Sequence, residues 1–132
     1  MRFLLDTNIV SDLVRYPHGR ISDRIKRVGE QQVCTSIIVA AEMRYGAEKR
    51  GSLRLTRQLE AVLSALDVLT LEAPVDAVYG KLRARLERAG QPIGGNDLLI
   101  AAHALALEHT LVTDNEREFS RIKGLTIENW LR

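Results

Sequence analysis

Five short apolar runs punctuate the chain: Arg2–Leu5, Val33–Thr35, Val68–Leu71, Thr110–Thr113 and Leu125–Ile127. None shows much alternation of apolar and polar positions, which is expected of strands covered on both faces. Between them the apolar positions take a helical period. Ile9, Val10, Leu13 and Val14 follow the first run, and a second helix is predicted from Ile37 to about Lys49. Leu55, Leu59, Val62, Leu63 and Leu66 mark a third; Val75, Val78, Tyr79, Leu82 and Leu86 mark a fourth, which opens at Pro74 and stops at Gly90. The segment "DLLIAAHALAL" forms a further helix. Strands alternating with helices predict an α/β fold, a parallel five-stranded sheet flanked by helices on both faces.

Length and composition narrow this picture. The 132 residues, 45% hydrophobic and 27% charged, suit one domain over residues 1–132 with a real core. No apolar run reaches the roughly 18 residues needed to span a membrane, and the first apolar stretch meets Asp6 too soon for a secretory leader. The lone Cys34, in "QQVCTS", is expected to be a small core residue in a reducing cytoplasm. Net charge is only +2, but five basic residues (Arg44, Lys49, Arg50, Arg54 and Arg57) face one acid, Glu48, between positions 44 and 57. That run is either a solvated helix connection or a contact for a phosphate backbone.

In parallel sheets ligands bind beyond the carboxyl ends of the strands. Asp6 follows the first strand, and "VTDN" puts Thr113, Asp114 and Asn115 just after the fourth. Glu42 lies in "TSIIVAAEMRYGA", one turn after an apolar stretch expected to be buried on most sides, and shares a face with Ile38, Tyr45 and Gly46. A buried unpaired carboxylate costs several kcal/mol, so Glu42 needs a cation, a metal or water. The alternative is a plain surface role, either a salt bridge to Arg44 or a side chain that snorkels to solvent. Asp97 stands in the first turn of "NDLLIAAHALAL", with Asn96 as expected N-cap, where an acid also favours the helix dipole. The next ten residues carry no charge, so this helix is central and aims its first turn into the cleft. Three acids thus converge, with Asp114 a candidate fourth. Clustered carboxylates raise one another's pKa values unless a hard cation neutralises them, and all-oxygen ligands suit Mg²⁺ or Mn²⁺ rather than Zn²⁺.

These motifs together resemble the PIN-domain ribonucleases, specifically the VapC-type toxins of bacterial type II toxin–antitoxin modules. The resemblance rests on "LLDTNIVSDL", "AAEMRYGA", "PIGGNDLLIAAHA" and "LVTDNEREFSRIKGLTIENW", in that order. It implies that Asp6, Glu42 and Asp97 form an acidic metal site, usually for Mg²⁺. It implies an endoribonuclease that hydrolyses RNA with metal-activated water and leaves a 5′-phosphate and a 3′-hydroxyl. In many PIN domains the fourth strand is followed by Thr, any residue, Asp and then a Phe four residues on. Thr113 and Phe119 set that register here, so Asn115 takes the position of the usual Asp beside Asp114; either completes the site. Thr7, Asn8, Ser11 and Thr113 look like groups that hold the carboxylates by hydrogen bonds. The resemblance further implies a tRNA or ribosomal RNA substrate, a VapB-type antitoxin partner, a homodimer within a toxin–antitoxin hetero-oligomer, and DNA contact only through the antitoxin.

Other readings fit less well. A catalytically weak PIN-like module that binds RNA or protein without cleaving is supported only by Asn115. A receiver-like phospho-acceptor domain needs an Asp after the third strand and a Lys after the fifth, where this chain has "LTLEAP" and "ENWLR". A haloacid-dehalogenase-type phosphatase needs Asp-x-Asp, and "DTN" lacks the second acid. His103 and Trp130 are expected in the core, Trp130 as an anchor for the last strand.

Overall fold

The computed structural model describes residues 2–132. Its strands are β1 (Phe3–Leu5), β2 (Val33–Ser36), β3 (Asp67–Leu69), β4 (Thr110–Val112) and β5 (Ile127–Glu128). They form one parallel sheet in the order β3-β2-β1-β4-β5. The three inner strands carry Leu4, Leu5, Val33, Cys34, Leu111 and Val112, all buried, which is why their sequences do not alternate.

The helices are α1 (Thr7–Arg15), α2 (Arg20–Val28), α3 (Ile37–Arg50), α4 (Leu53–Ala65), α5 (Val75–Arg88), α6 (Gly95–Leu107) and the short α7 (Glu116–Phe119). Strand order steps from β1 to β2 to β3 in one direction and from β4 to β5 in the other. Right-handed connections therefore lay α1–α4 on one face of the sheet and α5–α7 on the other. α3 packs on α1 and α4, and α5 on α6. The order reverses between β1 and β4, which creates a crevice at their carboxyl ends. There the Asp6 amide donates to the Val112 carbonyl at 2.9 Å, tying the two strands together as they diverge.

Several elements differ from the sequence expectation. α2 was not expected: "RISDRIKRV" has apolar residues only at Ile21, Ile25 and Val28, a stripe narrow enough to be masked by its charges. The four-residue α7 is too short to show a period. The last strand is Ile127–Glu128 rather than Leu125–Ile127, because Leu111 donates its amide to Thr126 and Gly124 turns the chain at φ +86° just before. The third strand starts at Asp67 and ends at Leu69, two residues before Leu71. Residues 37–41 are not buried on most sides: Val39 and Ala40 are, but Ile37 is 42% exposed and Ala41 is exposed. Asn96 is not an N-cap, since Gly94 takes that position, its carbonyl accepting from Leu98 N–H at 2.8 Å, and the Asn96 side chain is left free to reach across to α3.

Cys34 is buried, as expected, its thiol pushed up to about 11 chiefly by that burial. No helix among the described residues is long and apolar enough to cross a membrane. Trp130 closes the edge of the core: it is 4% exposed, stands 5.3 Å from the Phe3 ring and lies under the Arg24 guanidinium at 5.4 Å. Its indole N–H donates to Glu128 at 2.9 Å, so the ring holds β5 from outside the ladder. Trp130→Ala should therefore cost about 3 kcal/mol, the lower end for a buried aromatic beside solvent. Urea unfolding followed by far-ultraviolet circular dichroism measures it.

Candidate active site

Asp6 is the N-cap of α1 and is only 3% exposed. Both carboxylate oxygens are used. Oδ1 accepts from the Thr7 amide at 2.8 Å and Oδ2 from the Thr113 hydroxyl at 2.7 Å. Thr113, buried at the end of β4, accepts in turn from the Asn115 amide at 3.0 Å. Burial raises the Asp6 pKa, the two hydrogen bonds oppose the rise, and the charges of Glu42 and Glu118 add to it.

Glu42 is half-buried on α3, one turn from a helix start capped by Ser36. Its Oε1 accepts from the Thr7 hydroxyl at 2.7 Å, and Oε2 lies 3.5 Å from the Asn96 amide nitrogen on α6. Arg44, the partner that the alternative reading of Glu42 offered, pairs with Glu60 on α4. Asp97 stands in the first turn of α6. Its pKa is pushed up to about 6, first by burial and then by Asp6, Glu118 and Glu42. Asp6, Glu42 and Asp97 thus share one electrostatic field, contributed from β1, α3 and α6.

The fourth acid in that field is Glu118, which the sequence reading missed. Its charge acts on both Asp6 and Asp97, and its Oε2 accepts from the Asn115 side-chain amide at 2.5 Å. The signal available in sequence was its place three residues after Asn115 and directly before Phe119, on the first turn after the fourth strand. Asp114 faces elsewhere. It is exposed, accepts from Asn129 at 2.9 Å and from Arg132 at 3.4 Å, and these partners hold its carboxyl below the usual range. Its backbone amide donates to the Asn8 side chain at 3.1 Å, so Asn8 fixes the loop rather than an acid.

Beside Glu42 a cleft of about 450 Å³ opens between α1, α3 and α4, lined by Ser11, Arg15, Met43, Arg50, Arg54 and Leu55 among others. Of the basic residues between 44 and 57, Arg50 and Arg54 face this cleft, whereas Lys49 lies over the Tyr45 ring at 6.0 Å and Arg57 is exposed.

No three Asp, Glu, His or Cys side chains among the described residues already stand as a closed metal site. The donors are nevertheless suited to a hard cation that keeps several waters and takes only one or two carboxylates directly. All are oxygens, and the pKa values of Asp6 and Asp97 are raised by burial first and by neighbouring carboxylates second, a cost that a divalent cation would relieve. These shifts make the metal-free protein pH-sensitive. A carboxyl whose folded pKa lies above its unfolded value favours the folded state at low pH and loses that contribution as pH rises through the folded value, here between about 4 and 6. Asp97→Asn should consequently stabilise the protein in EDTA at pH 7 by about 1 kcal/mol, given solvent screening, and have little effect at pH 4. Thermal unfolding at both pH values, with and without Mn²⁺, checks this; wild type alone should gain stability from the metal.

Residues 3–125 match the family described as the PIN domain. The chain is 39% identical to Ribonuclease VapC2 of Rickettsia felis, with 98% of each chain covered. It is 35% identical to the tRNA(fMet)-specific endonuclease VapC of Shigella flexneri, again over 98% of each. In structure it is similar to a chain in the crystal structure of VapBC2 from Rickettsia felis bound to a DNA fragment from their promoter. The TM-score is 0.90 at 37% identity, covering 98% of this chain and 99% of that one. With this sheet order, this cluster of acids and these relatives, the chain belongs to the PIN-domain family and, within it, to the VapC proteins.

Proposed function

We propose that the acid cluster hydrolyses phosphodiester bonds of RNA, making the chain the metal-dependent endoribonuclease toxin of a type II toxin–antitoxin pair, acting as one domain in the cytoplasm. The observation that carries this reading is the convergence of Asp6, Glu42, Asp97 and Glu118 at the point where strand order reverses. Asp6 and Asp97, with Glu42, would hold Mg²⁺, or Mn²⁺ in its place. Bound there, such an ion lowers the pKa of a water and stabilises charge on the phosphate.

The chain's own residues do the rest. Thr113 and the Thr7 amide fix both oxygens of Asp6, so that acid has one orientation. Thr7 also aligns Glu42, leaving its second oxygen toward α6. Asn115 orients Glu118, whose charge acts on both Asp6 and Asp97 and whose role is to accept a proton from the attacking water. Hydrolysis adds that water's hydroxide to phosphorus and its proton to the departing sugar oxygen, leaving a 5′-phosphate and a 3′-hydroxyl. Asn115 was the one support for a non-cleaving binding module; Glu118 beside it supplies the carboxylate that Asn115 lacks, which favours catalysis.

A relative is named as a tRNA(fMet)-specific endonuclease, and this supports a structured RNA, tRNA before ribosomal RNA, as substrate. Arg50 and Arg54 are positioned to meet its phosphates along the cleft. Asp6→Ala or Asp97→Ala should abolish metal-dependent cleavage of purified tRNA and toxicity on expression, with the fold retained. Glu118→Gln should cost about a hundredfold in rate, Asn115→Ala less, and Asp114→Asn almost nothing. Cleavage by the Asp6 variant at the wild-type rate, with the same metal dependence, would sink the site assignment.

A solved relative is a toxin–antitoxin assembly on promoter DNA, which supports a VapB-type antitoxin here and DNA contact through that partner. The family resemblance adds the expectation of a homodimer within the hetero-oligomer. An antitoxin segment would lie in the cleft with its apolar residues against Val14, Met43 and Leu55, and direct an arginine at Asp6, Glu42 and Asp97. Replacing that arginine with Ala should restore nuclease activity to the purified complex while loosening it only slightly. Ribonuclease assays and calorimetry on the same preparation separate the two effects.

A further inference from the structure

His103 has no part in the chemistry described so far. It is 1% exposed in the middle of α6, and its Nδ1 lies 3.0 Å from the hydroxyl oxygen of Ser36, itself fully buried at the end of β2. Ser36 has a second task as N-cap of α3, its hydroxyl oxygen accepting from the Ile38 amide at 3.1 Å. The backbone of Thr70, just past β3, acts on the ring as a hydrogen-bond acceptor. A hydroxyl has one proton to give and two sites to receive, so Ser36 can accept from Ile38 and donate to Nδ1 at once. The ring then carries its hydrogen on Nε2, with the Thr70 backbone as the acceptor that acts on it. Burial, with His109 nearby, lowers the ring's pKa and keeps this uncharged form at neutral pH. One side chain thus joins the start of α3, the end of β3 and the middle of α6.

The positions of the acids give this junction a consequence. Ser36 stands six residues before Glu42, and His103 six residues after Asp97. At 1.5 Å per residue, each acid sits about 9 Å along its helix from the Ser36–His103 contact. α3 and α6 pack against each other, yet at the acids themselves their direct link is the long 3.5 Å contact from Asn96 to Glu42. Glu42 is otherwise held by Thr7, on a third element. A small rotation of α6 against α3 is therefore opposed at the buried histidine and felt at the carboxylates.

We propose that His103 is a positioning residue whose paired hydrogen bonds to Ser36 and Thr70 set the separation of Glu42 and Asp97, and through it the affinity of the acid cluster for a divalent cation. The proposal rests on reading that cluster as a metal-dependent nuclease site. Two amides dissect it. In His103→Asn the side-chain oxygen can replace Nδ1 and accept from Ser36, whereas in His103→Gln the nitrogen can replace Nε2 and donate to Thr70. His103→Leu keeps the apolar volume and neither bond.

Mn²⁺ binding to the metal-free, full-length protein, read by electron paramagnetic resonance, is measured with kcat, KM and the thermal midpoint for all four proteins. The Leu variant should bind Mn²⁺ about tenfold more weakly and lose kcat by a similar factor, with KM within about twofold of wild type. Asn should recover most of both losses and Gln less, because the bond to Ser36 is the one that links the two acid-bearing helices. If the Leu variant does not fold, the order of Asn and Gln decides. The proposal is overturned if folded variants lose thermal stability while Mn²⁺ affinity and kcat stay at wild-type values, or if Gln outperforms Asn. Wild-type protein that binds no Mn²⁺ would overturn the metal-dependent reading itself, and this inference with it.

Discussion

Asp6 is a carboxylate held in the interior at the seam between β1 and β4, and the rest of the site is arranged around keeping it there. Its burial is opposed by several kcal/mol of lost hydration, and the structure answers with two short hydrogen bonds. One comes from the first amide of α1 and one from the Thr113 hydroxyl, so the acid cannot be satisfied unless β1, α1 and β4 are all in place. The same carboxylate caps the helix that follows it. A single side chain thus starts α1, closes the crevice at the reversal of strand order, and offers a fixed anion to whatever enters.

Around it the fold gathers further negative charge instead of dispersing it. Glu42, Asp97 and Glu118 come from α3, α6 and α7, and the charges of Glu42, Glu118 and Asp6 add to burial in raising the pKa of Asp97. Such crowding works against stability in the metal-free protein and is tolerable because the surrounding core is large and apolar, from Leu4 and Leu5 beneath Asp6 to the fully buried Ile100 and Ala101 of α6. The neutral hydrogen-bonding groups Thr7, Thr113, Asn96 and Asn115 orient the acids without cancelling their charge. This leaves the charge available to a cation, and the cleft with Arg50 and Arg54 gives an anionic chain a way in beside it.

Much of this was legible from the chain. The unbroken apolar runs around Leu4, Cys34 and Leu111 read directly as inner strands of a parallel sheet, because burial on both faces removes alternation. Asp6, Glu42 and Asp97 stood out because each was an acid at the edge of an otherwise apolar stretch. Harder to read were α2, whose narrow stripe of Ile21, Ile25 and Val28 is outnumbered by charge, and Glu118, on a helix of four residues with no period to betray it. The burial expected for residues 37–41 failed at Ile37 and Ala41, since an apolar sequence does not say which side of a helix the sheet will cover.

The sequence by itself determined the alternation of strands and helices, the central character of α6 and the presence of three acids aimed at the carboxyl edge of the sheet. These follow from local periodicity and from where apolar runs stop. Only the tertiary structure shows which way the adjacent Asp114 and Asn115 turn. Asp114 is drawn outward by Asn129 and Arg132 from the end of the chain, while Asn115 turns inward to Glu118 because its amide is held by Thr113. It also decided that Ser36 and His103, separated by 67 positions, share a hydrogen bond beneath the site. Such pairings depend on strand order and on the angles at which helices cross, which no window of neighbouring residues encodes.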